Sequence, residues 1–292
     1  MARWMLCLCL LMSATVAKAD ERLFYQPLNV DAGLTQAQWQ KVWQDTAKQG
    51  TRTVIVQWTA YGDSDFGGAN GWLANSLKLA QRQGLQLVLG LAMDPAYYKR
   101  IDELDSAGLG TYWQAQLGQS LAQQKKLRQD WKLQVSGWYL PLELDDQHFL
   151  PADRRATLAR QLKDFAAKLD APLHVSAFSA GKLAPAVNAQ WLGELTAAGA
   201  QVWWQDGAGT GRLSPLVRNG YASALPCSVG IVREAFRQVS REGEPFRAEP
   251  ASPEATSTGC HQNAVFSLRY RPWGSVILDN QRKHPGSNVQ NH

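Results

Sequence analysis

Hydrophobic positions along this chain switch repeatedly between a period of two and a period near 3.6, so strands and helices alternate. The clearest strand is Trp138-Tyr139-Leu140-Pro141-Leu142-Glu143-Leu144-Asp145-Asp146. Trp138 and the three leucines share one face, while Tyr139, Pro141, Glu143 and Asp145 share the other. A leucine face suits packing beneath helices, and the second face suits the inside of a closed barrel. Leu85–Asp94 repeats the split, with its leucines on one face and Gln86, Gly90 and Asp94 on the other. Further strands are predicted at Leu23–Asn29, Thr53–Thr59, Leu173–Phe178 and Gln201–Asp206. The seventh and eighth are predicted at Pro245–Pro250 and Gly274–Leu278.

Helical spacing fills the intervals. Thr35 caps a helix carrying Trp39, Val42 and Trp43 that ends at Gly50. Others run from Trp72 toward Gly84, from Tyr112 to Asp130, from Pro151 to Leu169, around Trp191–Leu195, and from Val229 to Ser240. Strict alternation implies a parallel sheet, and eight strands over roughly 250 residues match a closed (β/α)8 barrel of the TIM type as a single domain. An open doubly wound sheet is the alternative. The expected boundaries are 1–19 for an export signal, 20–280 for the barrel and 281–292 for a flexible tail.

The signal reading rests on Arg3, the apolar run Trp4–Met12 and the small-x-small site Ala17-Lys18-Ala19. The run is too short to span a bilayer. The formal charge of +5 falls to +3 once Arg3 and Lys18 are removed, and no basic stripe points to nucleic acid. A monomer at a periplasmic or secreted location is expected, with no membrane span after signal removal. Cys7 and Cys9 leave with the signal; Cys227 and Cys260 then suggest one disulfide, worth roughly 3–4 kcal/mol by loop entropy. No Cys or His spacing suits a metal, and no motif calls for a cofactor.

Barrels keep their chemistry where strands end at the carboxyl face. The acids there are Asp94, Glu143, Asp145, Asp206 and Glu249. Glycoside cleavage needs one protonated carboxyl to donate to the leaving oxygen and one ionised carboxyl to attack or activate water. Glu143 after strand four and Glu249 after strand seven would flank one bond. Asp206 is a binding carboxylate or a stand-in for Glu249. With 12 tryptophans in the chain, aromatic rings near strand ends can stack on the C–H faces of sugars. Trp58, Tyr61, Tyr139, Trp204 and Trp273 are such candidates, with Asn29, Gln57, Asp94, Asp145 and Gln205 as polar partners.

Phe24-Tyr25-Gln26-Pro27, Gln57-Trp58-Thr59, Gly137–Glu143 and Trp203-Trp204-Gln205-Asp206-Gly207 resemble strand-end motifs of a bacterial family of domains of unknown function, DUF4434, grouped with TIM-barrel glycoside hydrolases. The resemblance implies a barrel and a carbohydrate substrate. By analogy with that wider group it makes Glu143 the acid/base and Glu249 the nucleophile or second carboxyl. The expectation is an exported glycosidase; the alternative is a non-catalytic glycan-binding barrel in exopolysaccharide handling.

Overall fold

The computed structural model describes residues 21–241, 243–254 and 259–284. The expected signal at 1–19 lies outside them. Eight parallel strands close into a barrel: β1 (Glu21–Tyr25), β2 (Thr51–Val56), β3 (Gln86–Gly90), β4 (Gly137–Asp145), β5 (Leu173–Phe178), β6 (Ala200–Gln205), β7 (Gly230–Glu234) and β8 (Asn263–Phe266). Each strand pairs with its sequence neighbours, and β8 returns to β1 through Arg22↔Ala264 and Leu23↔Val265. Helices α1 (Gln36–Lys48), α2 (Trp72–Arg82), α3 (Tyr97–Glu103), α4 (Ser106–Lys126), α5 (Ala152–Ala166), α6 (Pro185–Ala197), α7 (Pro215–Ala224) and α8 (Ser275–Lys283) occupy the intervals. None of the described helices is long and apolar enough to cross a membrane.

Local chemistry sets these elements. Thr35 and Gln38 form a reciprocal capping box at the start of α1, which then buries Trp39, Val42 and Trp43. The two-residue alternation of the strands separates two cores. Trp138, Leu140, Leu142 and Leu144 of β4 join the large layer between barrel and helices. Phe24, Ile55, Val88, Tyr139, Trp203, Val232 and Ala264 point inward and pack together. The barrel interior is therefore filled rather than open, as eight-stranded barrels require.

The last two strands differ from expectation. Val229–Ser240 is not a helix: its first part is β7, followed by Phe236–Gln238, which pairs antiparallel with Ala248–Pro250 as a ribbon outside the barrel. The segment expected as strand seven is thus half of that ribbon. β8 falls in a stretch for which no strand was expected, and Gly274–Leu278, expected as the eighth strand, leads into α8 instead. Val229, Val232 and Phe236 satisfy helical spacing, but barrel closure makes the segment a strand, with Val229 and Ile231 in the outer layer and Val232 in the interior. The tail expected from residue 281 is helical through Lys283; residues 285–292 lie outside the description. Cys227 and Cys260 form a disulfide with a Cα–Cα distance of 5.3 Å.

Candidate active site

The residues two positions beyond the inner core form the next layer toward the carboxyl face. Ile55 leads to Gln57, Trp203 to Gln205, Val232 to Glu234, and Ala264 to Phe266. On β4 the pairing with β5 slips between Leu140 and Leu144, where Pro141 has no N–H to offer the ladder. Glu143 emerges from that bulge into the barrel mouth. Together Gln57, Tyr139, Glu143, Ser176, Gln205 and Phe266 line a narrow crevice, floored by Phe24 and Val232, with no room for a water-sized sphere.

Glu143 is held by side chains from two other elements, β6 and α3. Gln205 Nε2 donates to Oε1 at 2.9 Å, and the Tyr98 hydroxyl donates to Oε2 at 2.5 Å. Tyr97, beside it on α3, donates to the Glu143 backbone oxygen at 2.6 Å. Tyr139 shares a 2.6 Å hydrogen bond with Ser176, and burial, then the Glu143 charge, raises its hydroxyl well above the ordinary range.

Glu234, which ends β7, is buried beside Asp206. Its Oε2 accepts from the Gly209 and Thr210 backbone N–H groups at 2.6 and 3.3 Å. Those donors favour the ionised form, yet burial dominates, the Asp206 charge adds to it and the Glu143 charge adds less. The net result raises the Glu234 carboxyl to about 7. Asp206 Oδ1 accepts from Ala208 N and Glu234 N at 3.0 and 3.3 Å. Burial raises the Asp206 carboxyl too, against those N–H groups and the nearby Arg218. A Cβ on Gly209 would stand 2.6 Å from the Phe236 oxygen and 2.8 Å from Glu234 Oε2, so only glycine lets this loop's N–H reach the carboxylate.

The expected site residues divide into three groups. Glu143, Gln57, Tyr139 and Gln205 converge on the crevice, and Asp206 stands behind it against Glu234. Asn29, Tyr61 and Asp94 form a rim above β1 to β3. There Asn29 accepts from Ser64 at 3.1 Å and Asp94 accepts from Tyr112 at 2.7 Å. Burial and the Asp94 charge raise the Tyr61 hydroxyl.

The remaining residues are elsewhere. Glu249 is exposed on the outer ribbon, opposite Arg237, because its segment is not a barrel strand. Trp58 and Trp204 face the helix layer, their indole N–H groups donating to Pro27 O at 2.9 Å and Ser179 Oγ at 3.0 Å. Trp273 packs in a 3-10 turn before α8 with Arg271 over its ring. Asp145 is saturated by two backbone N–H groups and by His148 Nδ1 at 2.6 Å, so it braces a loop.

Sequence reasoning missed Glu234. The available signal was Gly230-Ile231-Val232-Arg233-Glu234, a branched run ending in an acid. It missed Tyr98 as well, and nothing in the local sequence marks that residue, since its contact with Glu143 spans 45 positions.

A family model described as a domain of unknown function (DUF4434) matches residues 23–257. The uncharacterised protein YbcH of Escherichia coli strain K12 is 32% identical over 294 residues, covering 93% of this chain and 97% of that protein. Among solved structures, a Bacteroides thetaiotaomicron protein named "putative alpha-L-fucosidase" superposes with a TM-score of 0.56 at 13% identity, covering 93% of this chain and 96% of its own. The Bacillus cereus spore cortex-lytic enzyme SleL gives a TM-score of 0.49 at 9% identity, covering 90% and 74%. The first of these structural likenesses is one of fold, the TIM-type barrel.

Proposed function

The chain belongs to the DUF4434 family, whose function is unknown, and from the carboxylates its barrel brings together we propose an exported glycoside hydrolase acting on a polysaccharide or oligosaccharide. The observation that carries this reading is the pair formed by Glu143 at the end of β4 and Glu234 at the end of β7. They come from strands three apart in the ring, and the charge of one raises the carboxyl of the other.

Their environments assign different work. Glu234, raised to about 7, keeps a proton near neutrality and donates it to the leaving glycosidic oxygen. Glu143 accepts from two donors and is the partner carboxylate, attacking the sugar or activating water. This reverses the acid/base role expected for Glu143 and replaces Glu249 with Glu234. A sugar ring enters only if a wall of the crevice moves, and Tyr98 and Gln205 are the side chains that close over Glu143. The disulfide supports export, since such bonds persist in oxidising compartments.

The tightness of the crevice favours a second reading, a glycan-binding barrel that does not turn over. One experiment separates the two. The purified protein is screened against bacterial polysaccharides for released reducing ends, alongside Glu143→Gln, Glu234→Gln and Glu249→Gln. The hydrolase reading expects the first two variants to lose at least a thousandfold in kcat while melting as cooperatively as the parent, with Glu249→Gln unchanged. Binding without release by the parent, or full activity in Glu234→Gln, rejects it.

A further inference from the structure

We propose that the crevice takes a neutral sugar residue, read through two neighbouring hydroxyls by the carboxamide of Gln57. This rests on the carbohydrate reading above but not on turnover.

Gln57 is 5% exposed, and its Oε1 is buried without a hydrogen-bond partner while lining the crevice. Buried acceptors in folded proteins are nearly always paired, so an orphan at the mouth of a barrel is a place for a ligand to donate. A carboxamide carries N–H donors beside that acceptor. Two adjacent sugar hydroxyls answer both at once, one donating and one accepting.

The backbone that carries the amide is held in place before any ligand arrives. The Gln57 backbone N–H donates to Tyr25 O at 2.8 Å, and the next residue, Trp58, is pinned through its indole N–H to Pro27. On the other side, a Cβ at Gly90 would fall 2.3 Å from the Gln57 carbonyl carbon, so β3 approaches this peptide as only glycine allows. A backbone fixed on both sides lets the side chain bind with little further loss of freedom.

Charge decides which sugars fit. Among the described residues no Lys, Arg or His lines the crevice, while Glu143 does, and Glu234 and Asp206 stand behind it. The nearby cations are committed elsewhere: Arg218 pairs with Glu254 at 3.1 Å, Arg269 with Asp31 at 3.5 Å, and Arg22 lies over the Trp203 ring deeper in the barrel. A uronate, sulfated or phosphorylated sugar would meet carboxylates with no compensating cation. The uncharged amide and the rings of Phe24, Tyr139 and Phe266 suit hydroxyls and C–H faces instead.

The test uses the intact protein and sulfur-linked oligosaccharides, which resist hydrolysis, in calorimetric binding. The panel holds matched neutral, uronate-containing and free-amine members, plus deoxy analogues of the neutral members lacking one hydroxyl of each vicinal pair. A neutral member is expected to bind at least tenfold more tightly than its uronate and amine counterparts. One deoxy analogue should lose about ten- to hundredfold. Gln57→Met should weaken the parent neutral ligand by the same factor and no longer distinguish it from that analogue. Equal or tighter binding of a charged member, no loss with any deoxy analogue, or no neutral ligand bound at all overturns the proposal. The deoxy series on the parent protein reads the same contact if Gln57→Met fails to fold. Turnover is scored separately on oxygen-linked substrates. Neutral binding without cleavage sinks the hydrolase reading alone, and cleavage of a uronate-linked chain sinks this inference alone.

Discussion

At the position of Glu234 a glutamate gives up stability to hold a proton. Unfolded, it ionises near its ordinary value of 4.5; folded, it does so at about 7. Between those values the folded state keeps a proton that the unfolded state has lost. The stabilising contribution is therefore complete below pH 4.5 and disappears as pH rises through 7. Glu234→Gln removes this slope. Urea melts should show the variant gaining on the order of 1–3 kcal/mol over the parent at pH 8 relative to the difference at pH 4. Gly209→Ala tests the same carboxylate from its other side. The added Cβ displaces either the Phe236 carbonyl or Glu234, so kcat should fall at least tenfold with a stability loss of about 1–3 kcal/mol. An alanine variant with parental kcat would show that the loop's grip on Glu234 is immaterial. Glu143, Gln57 and Gln205 were legible in the sequence because each ends an unmistakable strand. Glu234 was not, because Val229, Val232 and Phe236 also fit one face of a helix.

Among the elements, β7 and β8 are short, with five and four residues, and carry the least internal pattern. The disulfide compensates. Cys227 precedes β7, Cys260 precedes β8, and the bond closes a loop of 33 positions around both the strand that bears Glu234 and the outer ribbon. Loop entropy makes it worth about 3–4 kcal/mol. Cys227→Ser/Cys260→Ser should lose that much in denaturant melts, and a reductant should reproduce the loss in the parent but not in the double variant. Equal stability of all three would mean that β7 and β8 hold without it. The cysteine pair was readable from count and context, whereas the strands it braces were not: four residues offer too few alternations to stand out from a loop.

Across the whole molecule the barrel must close, and a buried cluster guards the seam between β1 and β8. Arg269, in the turn after β8, donates to Gln26 O at 2.6 Å and to Gln281 Oε1 of α8 at 2.5 Å, and pairs with Asp31 at 3.5 Å. Asp31 also accepts from the Tyr25 hydroxyl and the Leu28 N–H. Burial raises the Asp31 carboxyl despite this company. Removing one partner leaves the other charged and dry. Arg269→Leu should cost about 3–5 kcal/mol, and adding Asp31→Asn should recover part of it. Simple additivity of the two losses in a double-mutant cycle would show that the pair is not coupled.

The sequence by itself determined the fold class, the first six strands, the inside and outside faces of β4, the disulfide and a carboxylate at Glu143. Those features rest on periods and pairings that act over a few residues or on the count of a rare residue type. Only the tertiary structure decided that Glu234 ends a barrel strand while Glu249 lies on the outer ribbon, that Trp58 and Trp204 belong to the outer layer, and that Tyr98 reaches Glu143. Each of those outcomes depends on where the eighth strand meets the first, because closing the ring fixes which way every residue near a strand end must point.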